Sequence, residues 1–407
     1  MSKIISISLS PNTEKDDVSL ALSLIFNPWK WKKGRELERM FRNYFGFNNA
    51  FSFNSGRSSL IAILKAMEVG KGDEVIVQAF TCNAAVNPIL YVGAKPIFVD
   101  IDETLNISVE EIKKKITSKT KAVMVQHTFG YSAEIKKVRN ICREKGIYLI
   151  EDCAHALGAK FEDSFCGSFG DASFFSFGRD KIISSVYGGM VVVNNESLIE
   201  KVSDFQKELD YPSLFWIKQQ LLHPILMNKI VLPLYSSKIG RGLLALFLNL
   251  NILSKAVTKK ENKGKLPPYF PKRMPDALAV LAMHQLKKID RFNEHRREIA
   301  ELYEKELIKR KIGIVFKNNK EAVFLKYPVM VVNPEKIISE ARKEGIYLND
   351  GWSGSPIVPP STSLKDLCYI HSSCPRAEEA ARRIISLPTH INISRRDALK
   401  VVKLFDV

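Results

Sequence analysis

Residues 72–102 read GDEVIVQAFTCNAAVNPILYVGAKPIFVDID. Two runs rich in β-branched residues, DEVIVQAF and KPIFVDI, flank the helical pattern NAAVNPILYVG. A crossover helix between two strands makes those strands parallel neighbours in one sheet. The same alternation extends on both sides of this unit. Before it come FSFN and the helical SSLIAILKAM; after it come SVEEIKKKI, KAVMVQHTF, SAEIKKVRNICREKG, IYLIED, FFSFG and MVVVNN. The expectation is an α/β fold, with a mostly parallel central sheet flanked by helices and a smaller C-terminal α/β domain. In such sheets ligands gather beyond the carboxyl ends of the strands, so functional residues are sought just after strands.

The chain divides by composition into an N-terminal arm (1–34), a large domain (35–210), a basic apolar helical insertion (211–265) and a small domain (266–407). It has 407 residues, 45% hydrophobic and 26% charged, which excludes disordered and collagen-like classes. Six cysteines and seven histidines are scattered without CxxC pairs or metal-ligand spacing, so no metal site is expected. The start MSKIISISLSPNTEKDD lacks the basic and apolar regions of a secretory signal, and a cytoplasmic address with reduced thiols follows as the expectation. The formal net charge of +17 calls for an anionic partner: nucleic acid, a membrane surface or a phosphorylated metabolite. No helix-turn-helix, zinc-finger or RNA-recognition signature supports nucleic acid.

Three features stand at strand ends. Lys181 lies between FFSFG and MVVVNN, on the short link before Gly188 and Gly189. Asp152 ends the strand IYLIED, with His155 just beyond. The turn Ser55-Gly56-Arg57-Ser58 opens a helix and offers free backbone N–H groups, which suits a phosphate. Taken singly, each has an ordinary reading as loop lysine, helix cap or capping turn. Together they meet the needs of pyridoxal 5′-phosphate (PLP): an amine for the aldehyde, a carboxylate to keep the pyridine nitrogen protonated, and a helix N-terminus for the phosphate.

The sequence resembles the PLP-dependent nucleotide-sugar aminotransferases of the DegT/StrS type, within fold type I. The resemblance is carried by NSGRSSL, by residues 72–102, by VQHTFG, EDCAHALGA and GSFGDASFFSF, by the lysine followed by GGM, and by RAEEAARRIISLPTH. It implies that Lys181 holds the aldehyde and shuttles the proton, that Asp152 pairs with the pyridine nitrogen, and that His155 lies near the phenolic oxygen. Ser55, Gly56, Arg57 and Ser176 would hold the phosphate. A dehydrating branch of the family has histidine in place of the lysine, so the lysine here implies transamination. The implied substrates are a nucleotide-linked keto sugar and an amino donor such as L-glutamate, serving surface polysaccharide or glycan synthesis, in a homodimer. The alternative is a catalytically inactive PLP-binding regulatory protein of the same fold.

The chain departs from the family pattern in places. Cys82 stands where an aromatic residue usually stacks on the pyridine ring, so either Phe80 takes that place or the face is covered less well. Gly178, Arg179 and Asp180 replace the usual polar residues before the lysine, and Tyr187 precedes the Gly-Gly pair. Pro271 lies near the position of an asparagine that reaches the neighbouring subunit's phosphate site.

Residues 211–260 contain no Asp or Glu and seven basic residues, with Phe215, Trp216 and several leucine-rich turns. GLLALFLNLNIL is too short to span a bilayer, which takes about 20 residues. The composition instead suits helices lying in an anionic membrane interface at the inner membrane face, with Trp29 and Trp31 of FNPWKWKKGR as a second contact. The competing reading is a packing surface.

Overall fold

The computed structural model describes residues 4–31, 34–317 and 319–406, with the side chains of residues 29, 30, 34 and 238 left out. The seven strands of the central sheet are β1 (Phe51–Phe53), β2 (Glu74–Gln78), β3 (Lys95–Val99), β4 (Thr120–Gln126), β5 (Tyr148–Asp152), β6 (Ala172–Ser176) and β7 (Gly189–Val193). They lie in the order β1-β7-β6-β5-β4-β2-β3. Strands β2 to β6 pair in parallel, through helical crossovers as far as β5 and through a helix-free link from β5 to β6.

β7 is the exception: it runs antiparallel to both β6 and β1. The link from Ser176 to Gly189 carries no helix and turns the chain back beside β6 instead of crossing over the sheet. Consequently β7 starts at the edge where its neighbours end. Lys181, on that link, is delivered to the carboxyl ends of β5 and β6.

Both faces of the sheet are covered. Val75, Val77, Met124 and Ile150 pack with the helix Gly56–Ala66 and the C-terminal region, while Ile76, Val123, Val125 and Leu149 pack with Ile112, Val138 and Ile141. The C-terminal region has its own strand pair, β8 (Lys326–Met330) antiparallel to β9 (Ile384–Pro388). The N-terminal Ile5–Ser6 pairs with Ile346–Tyr347, and Thr81–Cys82 pairs with Ile357–Val358, so this region is stitched to the start of the chain and to the site edge.

Residues 211–260 form a helix at Leu214–Leu226, a π turn at Met227–Val231 and a helix at Lys238–Asn249. No helix among the described residues is long and apolar enough to cross a membrane. Trp216, expected on a membrane-facing surface, is instead buried, its ring 5.3 Å from Tyr187 and 5.9 Å from Tyr269. Its large apolar area gains more inside that aromatic cluster than at a surface. Trp31 is half-buried and donates its indole N–H to the Leu24 carbonyl at 2.9 Å. The side chain of Trp29 lies outside the described residues.

The helix Gly56–Ala66 lies hard against β7. A Cβ on Gly189 would come within 2.5 Å of the Ser55 carbonyl carbon and oxygen, so only glycine lets the helix N-terminus sit this close. Gly189→Ala should therefore destabilise the protein by about 1–3 kcal/mol, the usual overpacking range, and weaken phosphate binding at the helix end. Denaturant unfolding together with a phosphate or PLP titration checks this; unchanged values for both would refute the contact's role.

Candidate active site

At the carboxyl edge of the sheet lies a cavity of about 540 Å³ whose walls include Ser55, Gly56, Arg57, Cys82, Asp152, His155, Ser176 and Lys181. Eight of the nine residues singled out from the sequence thus meet in one space, although they come from four separate stretches of chain. Phe80 does not. It is fully buried with φ +58°, its ring edge-on to Phe129 at 6.1 Å and to Trp352 at 5.5 Å. Cys82 takes the wall position that Phe80 was expected to fill. Its thiol accepts from the Ala84 N–H, and burial pushes its pKa up, so the wall there is a small neutral group.

The lysine loop is tied at several points. The Lys181 N–H donates to the Gly178 carbonyl at 3.2 Å, and the Lys181 carbonyl accepts from the Asn12 side chain. Asn12 is itself fixed: its Oδ1 accepts from Arg296 at 2.6 Å and its carbonyl from Gln285 at 3.0 Å. Val186 in the same loop adopts φ +71°, costly for a β-branched residue and held by the hydrogen bonds around it. The N-terminal arm therefore helps to set the backbone from which Lys181 projects.

Asp152 is buried at the end of β5, and its Oδ1 accepts from the Ala154 N–H at 2.9 Å. Burial raises its pKa to about 6, opposed by that N–H and by the charges of Lys181 and His127. Among the described residues it has no ion-pair partner. A buried carboxylate that faces a cavity and has no ion pair of its own fits a ligand that brings a cationic group, and a protonated pyridine nitrogen is such a group. His155 stacks on Phe129 at 5.7 Å, and its Nδ1 accepts from the Phe129 N–H at 3.4 Å. Burial, then Lys181 and Lys326, hold its pKa well below the usual value, so the ring is neutral with its proton on Nε2.

The phosphate cradle is the start of the helix Gly56–Ala66. Ser55 caps it, accepting from the Ser58 N–H at 3.1 Å, and helix geometry leaves the N–H groups of Gly56 and Arg57 without intrahelical acceptors. A Cβ on Gly56 would stand 3.1 Å from the Ser176 Cβ, so the glycine brings the Ser176 hydroxyl against the same turn. Arg57 is already engaged: its guanidinium pairs with Glu261 at 2.7 Å, donates to the Ala256 carbonyl at 2.9 Å and lies 5.2 Å over the Phe270 ring. The backbone N–H of Arg57, rather than its charge, is what the cradle offers most directly. The residues present thus fit PLP at its aldehyde, its ring nitrogen and its phosphate.

Several wall residues escaped the sequence reading. Trp352 packs edge-on to His155 at 5.1 Å, and Asp350 pairs with Lys326 at 3.1 Å. A tryptophan among the turn residues of LNDGWSG was the available signal for the first. His223, Met227, Leu244 and Leu248 come from the insertion, where composition alone gave no hint of the site. His127, Glu151 and Cys153 also meet below the cavity, a grouping with metal-ligand character that the spacing along the chain concealed. There Glu151 is spent on His127 at 3.1 Å and on the N–H groups of Gly167, Phe169 and Gly170.

The sequence pattern of the DegT/DnrJ/EryC1/StrS aminotransferase family matches residues 27–209 and 249–406. The gap falls on the insertion. A GDP-perosamine synthase of Escherichia coli O157:H7 is 28% identical over 394 residues, 95% of this chain and 93% of its own. The spore coat polysaccharide biosynthesis protein SpsC of Bacillus subtilis is 30% identical over 297 residues, 72% of this chain and 67% of its own. Among solved structures, the PLP form of the sugar aminotransferase Spr1654 from Streptococcus pneumoniae superposes with a TM-score of 0.75 at 21% identity, covering 99% and 97% of the two chains. That likeness shows the fold, the α/β arrangement of fold type I.

A carboxyl whose pKa is raised on folding stabilises least where it must ionise. In the cofactor-free protein the cost at Asp152 is absent below its ordinary value near 4 and grows as pH rises through about 6. Cofactor-free Asp152→Asn should therefore unfold later than wild type at pH 7, by at most about 3 kcal/mol, and lose that advantage at pH 4. Denaturant midpoints across this range check it; an advantage that grows toward acid would refute the assignment.

Proposed function

Because the chain belongs to the DegT/DnrJ/EryC1/StrS aminotransferase family, we propose that it moves an amino group from an acidic donor such as L-glutamate to a keto sugar carried on a nucleotide diphosphate. The observation that carries this reading is the meeting of Lys181, Asp152 and the Ser55–Ser58 turn around one cavity. PLP, when bound, supplies an electron sink for the substrate carbon. Asp152 keeps the ring nitrogen's proton by presenting a carboxylate in a dry site. Neutral His155 has an N–H to give on the cofactor's oxygen side. Lys181 would hold the cofactor's aldehyde and supply the amine that moves a proton at the substrate carbon. Ser55, Gly56, Ser176 and the Arg57 N–H hold the phosphate, and Cys82 lines the ring pocket.

Surface polysaccharide synthesis is supported by the relatives' names, and a nucleotide diphosphate by the +17 charge. A homodimer in the cytoplasm is part of the same proposal. Lys181→Ala should abolish turnover and the cofactor's lysine-bound absorbance together, with Lys255, the other lysine of the cavity wall, failing to replace it. Wild type should convert glutamate to 2-oxoglutarate in a single half-reaction without any sugar. An inactive regulatory protein would bind PLP and fail that half-reaction.

The exposed side chains of the insertion, Leu214, Phe215, Ile239, Leu246 and Leu250 beside Lys218, Lys229 and Arg241, support peripheral docking on anionic lipid. Co-sedimentation with vesicles containing phosphatidylglycerol should be seen at low salt, weaken as salt rises, and drop several-fold in Phe215→Ser/Leu246→Ser. Failure of the wild-type protein to bind at low salt would refute it.

A further inference from the structure

The insertion is built into the active site. Arg179, two residues before Lys181, donates to the Ser254 hydroxyl, which in turn donates to Gln220 Oε1 at 2.7 Å. The Tyr187 hydroxyl donates to the Lys255 carbonyl at 2.7 Å, and its ring lies against Trp216. These contacts fasten the insertion to both ends of the lysine loop, so its inward face forms a fixed wall of the cavity.

Much of that wall is hydrocarbon, although the insertion also brings His223 and Lys255 to the cavity. Met227, Leu244, Leu248, Leu253 and Val257, joined by Leu9 of the N-terminal arm, line the cavity that also holds Lys181 and Asp152. Leu244 and Leu248 stand one helical turn apart on the inner face of Lys238–Asn249, while Leu246 and Leu250 on the outer face are exposed. Such a helix is apolar on both sides. The hydroxyls of a sugar and the oxygens of a diphosphate gain nothing from six aliphatic neighbours and lose water hydrogen bonds beside them. A hydrocarbon chain gains on every methylene it buries. The family pattern leaves out residues 210–248, which include Met227, Leu244 and Leu248, while Leu253 and Val257 lie within its second matched stretch.

From this we infer that the amino acceptor is a keto sugar bearing a hydrocarbon group, acyl or isoprenoid, and that this group lies between the lysine site and the inner face of the Lys238–Asn249 helix. The inference rests on the transaminase reading and adds the acceptor's chemistry to it.

The test titrates wild-type holoenzyme calorimetrically with n-alkyl phosphates from butyl to decyl, each below its micelle concentration. Affinity should rise about fourfold per methylene until the bay is full, as burial of CH₂ groups predicts. Leu248→Gln should flatten the series, and Val257→Phe, which fills the bay, should end the rise at a shorter chain. Decyl and geranyl phosphate, with equal carbon counts, separate the two sources: preference for the straight chain indicates an acyl group, and preference for the branched one an isoprenoid carrier. A series without chain-length dependence in wild type overturns the inference, as it would if a second copy of the chain covered the bay. The glutamate half-reaction of the same wild-type preparation is read separately. If it proceeds while the series is flat, only the hydrocarbon inference falls; if it fails while the series rises, the transaminase reading falls.

Discussion

One reversal of chain direction organises the site. β7 runs back against both of its neighbours, so the whole link between β6 and β7 stays at the edge where β5 and β6 end, and Lys181 stands on it beside Asp152. The adjacent placement of β1 beyond β7 brings the helix Gly56–Ala66 to the same edge. Amine, carboxylate and phosphate cradle all follow from this single topological fact.

Close backbone approach then fixes distances. Gly189 lets the Ser55 turn rest on β7, and Gly56 lets that turn rest on Ser176. These contacts join the cradle to the two strands that bracket the lysine loop, so the spacing between phosphate site and Lys181 is held by packed main chain rather than by long side chains. Asn12, linked to Arg296 and Gln285, adds a third anchor from the opposite end of the sequence.

Electrostatics divides the cavity's charges by their partners. Arg57 is neutralised by Glu261, and Lys326 by Asp350, while Asp152 has no ion pair among the described residues and its burial outweighs the charges of Lys181 and His127. A buried carboxylate left in that condition ionises reluctantly, which is the physical content of its raised pKa. A cationic ring nitrogen would reverse that balance. Of residues 211–265 only Glu261 is acidic, and it is spent on Arg57; the rest of the insertion acts on the site through shape and apolarity and through the relay from Gln220 to Arg179.

The amino-acid sequence by itself determined the α/β alternation, the parallel core of the sheet and the identity of Lys181, Asp152, His155 and the Ser55–Ser58 turn, because each depends on local periodicity and on position after a strand. Tertiary structure alone decided which residues share a surface across long separations. Phe80 turns into the core against Phe129 and Trp352, and Cys82 faces the cavity; two residues apart in sequence, they are separated by a backbone φ of +58° that no periodicity reveals. Trp216 is inside because Tyr187 and Tyr269, far away in the chain, offer it aromatic neighbours. Arg57 is engaged because Glu261 reaches it across the fold. Composition marks residues 211–260 as basic and apolar, but which leucines line the cavity and which meet solvent is set by how two helices dock on the lysine loop, and that contact exists only in the folded chain.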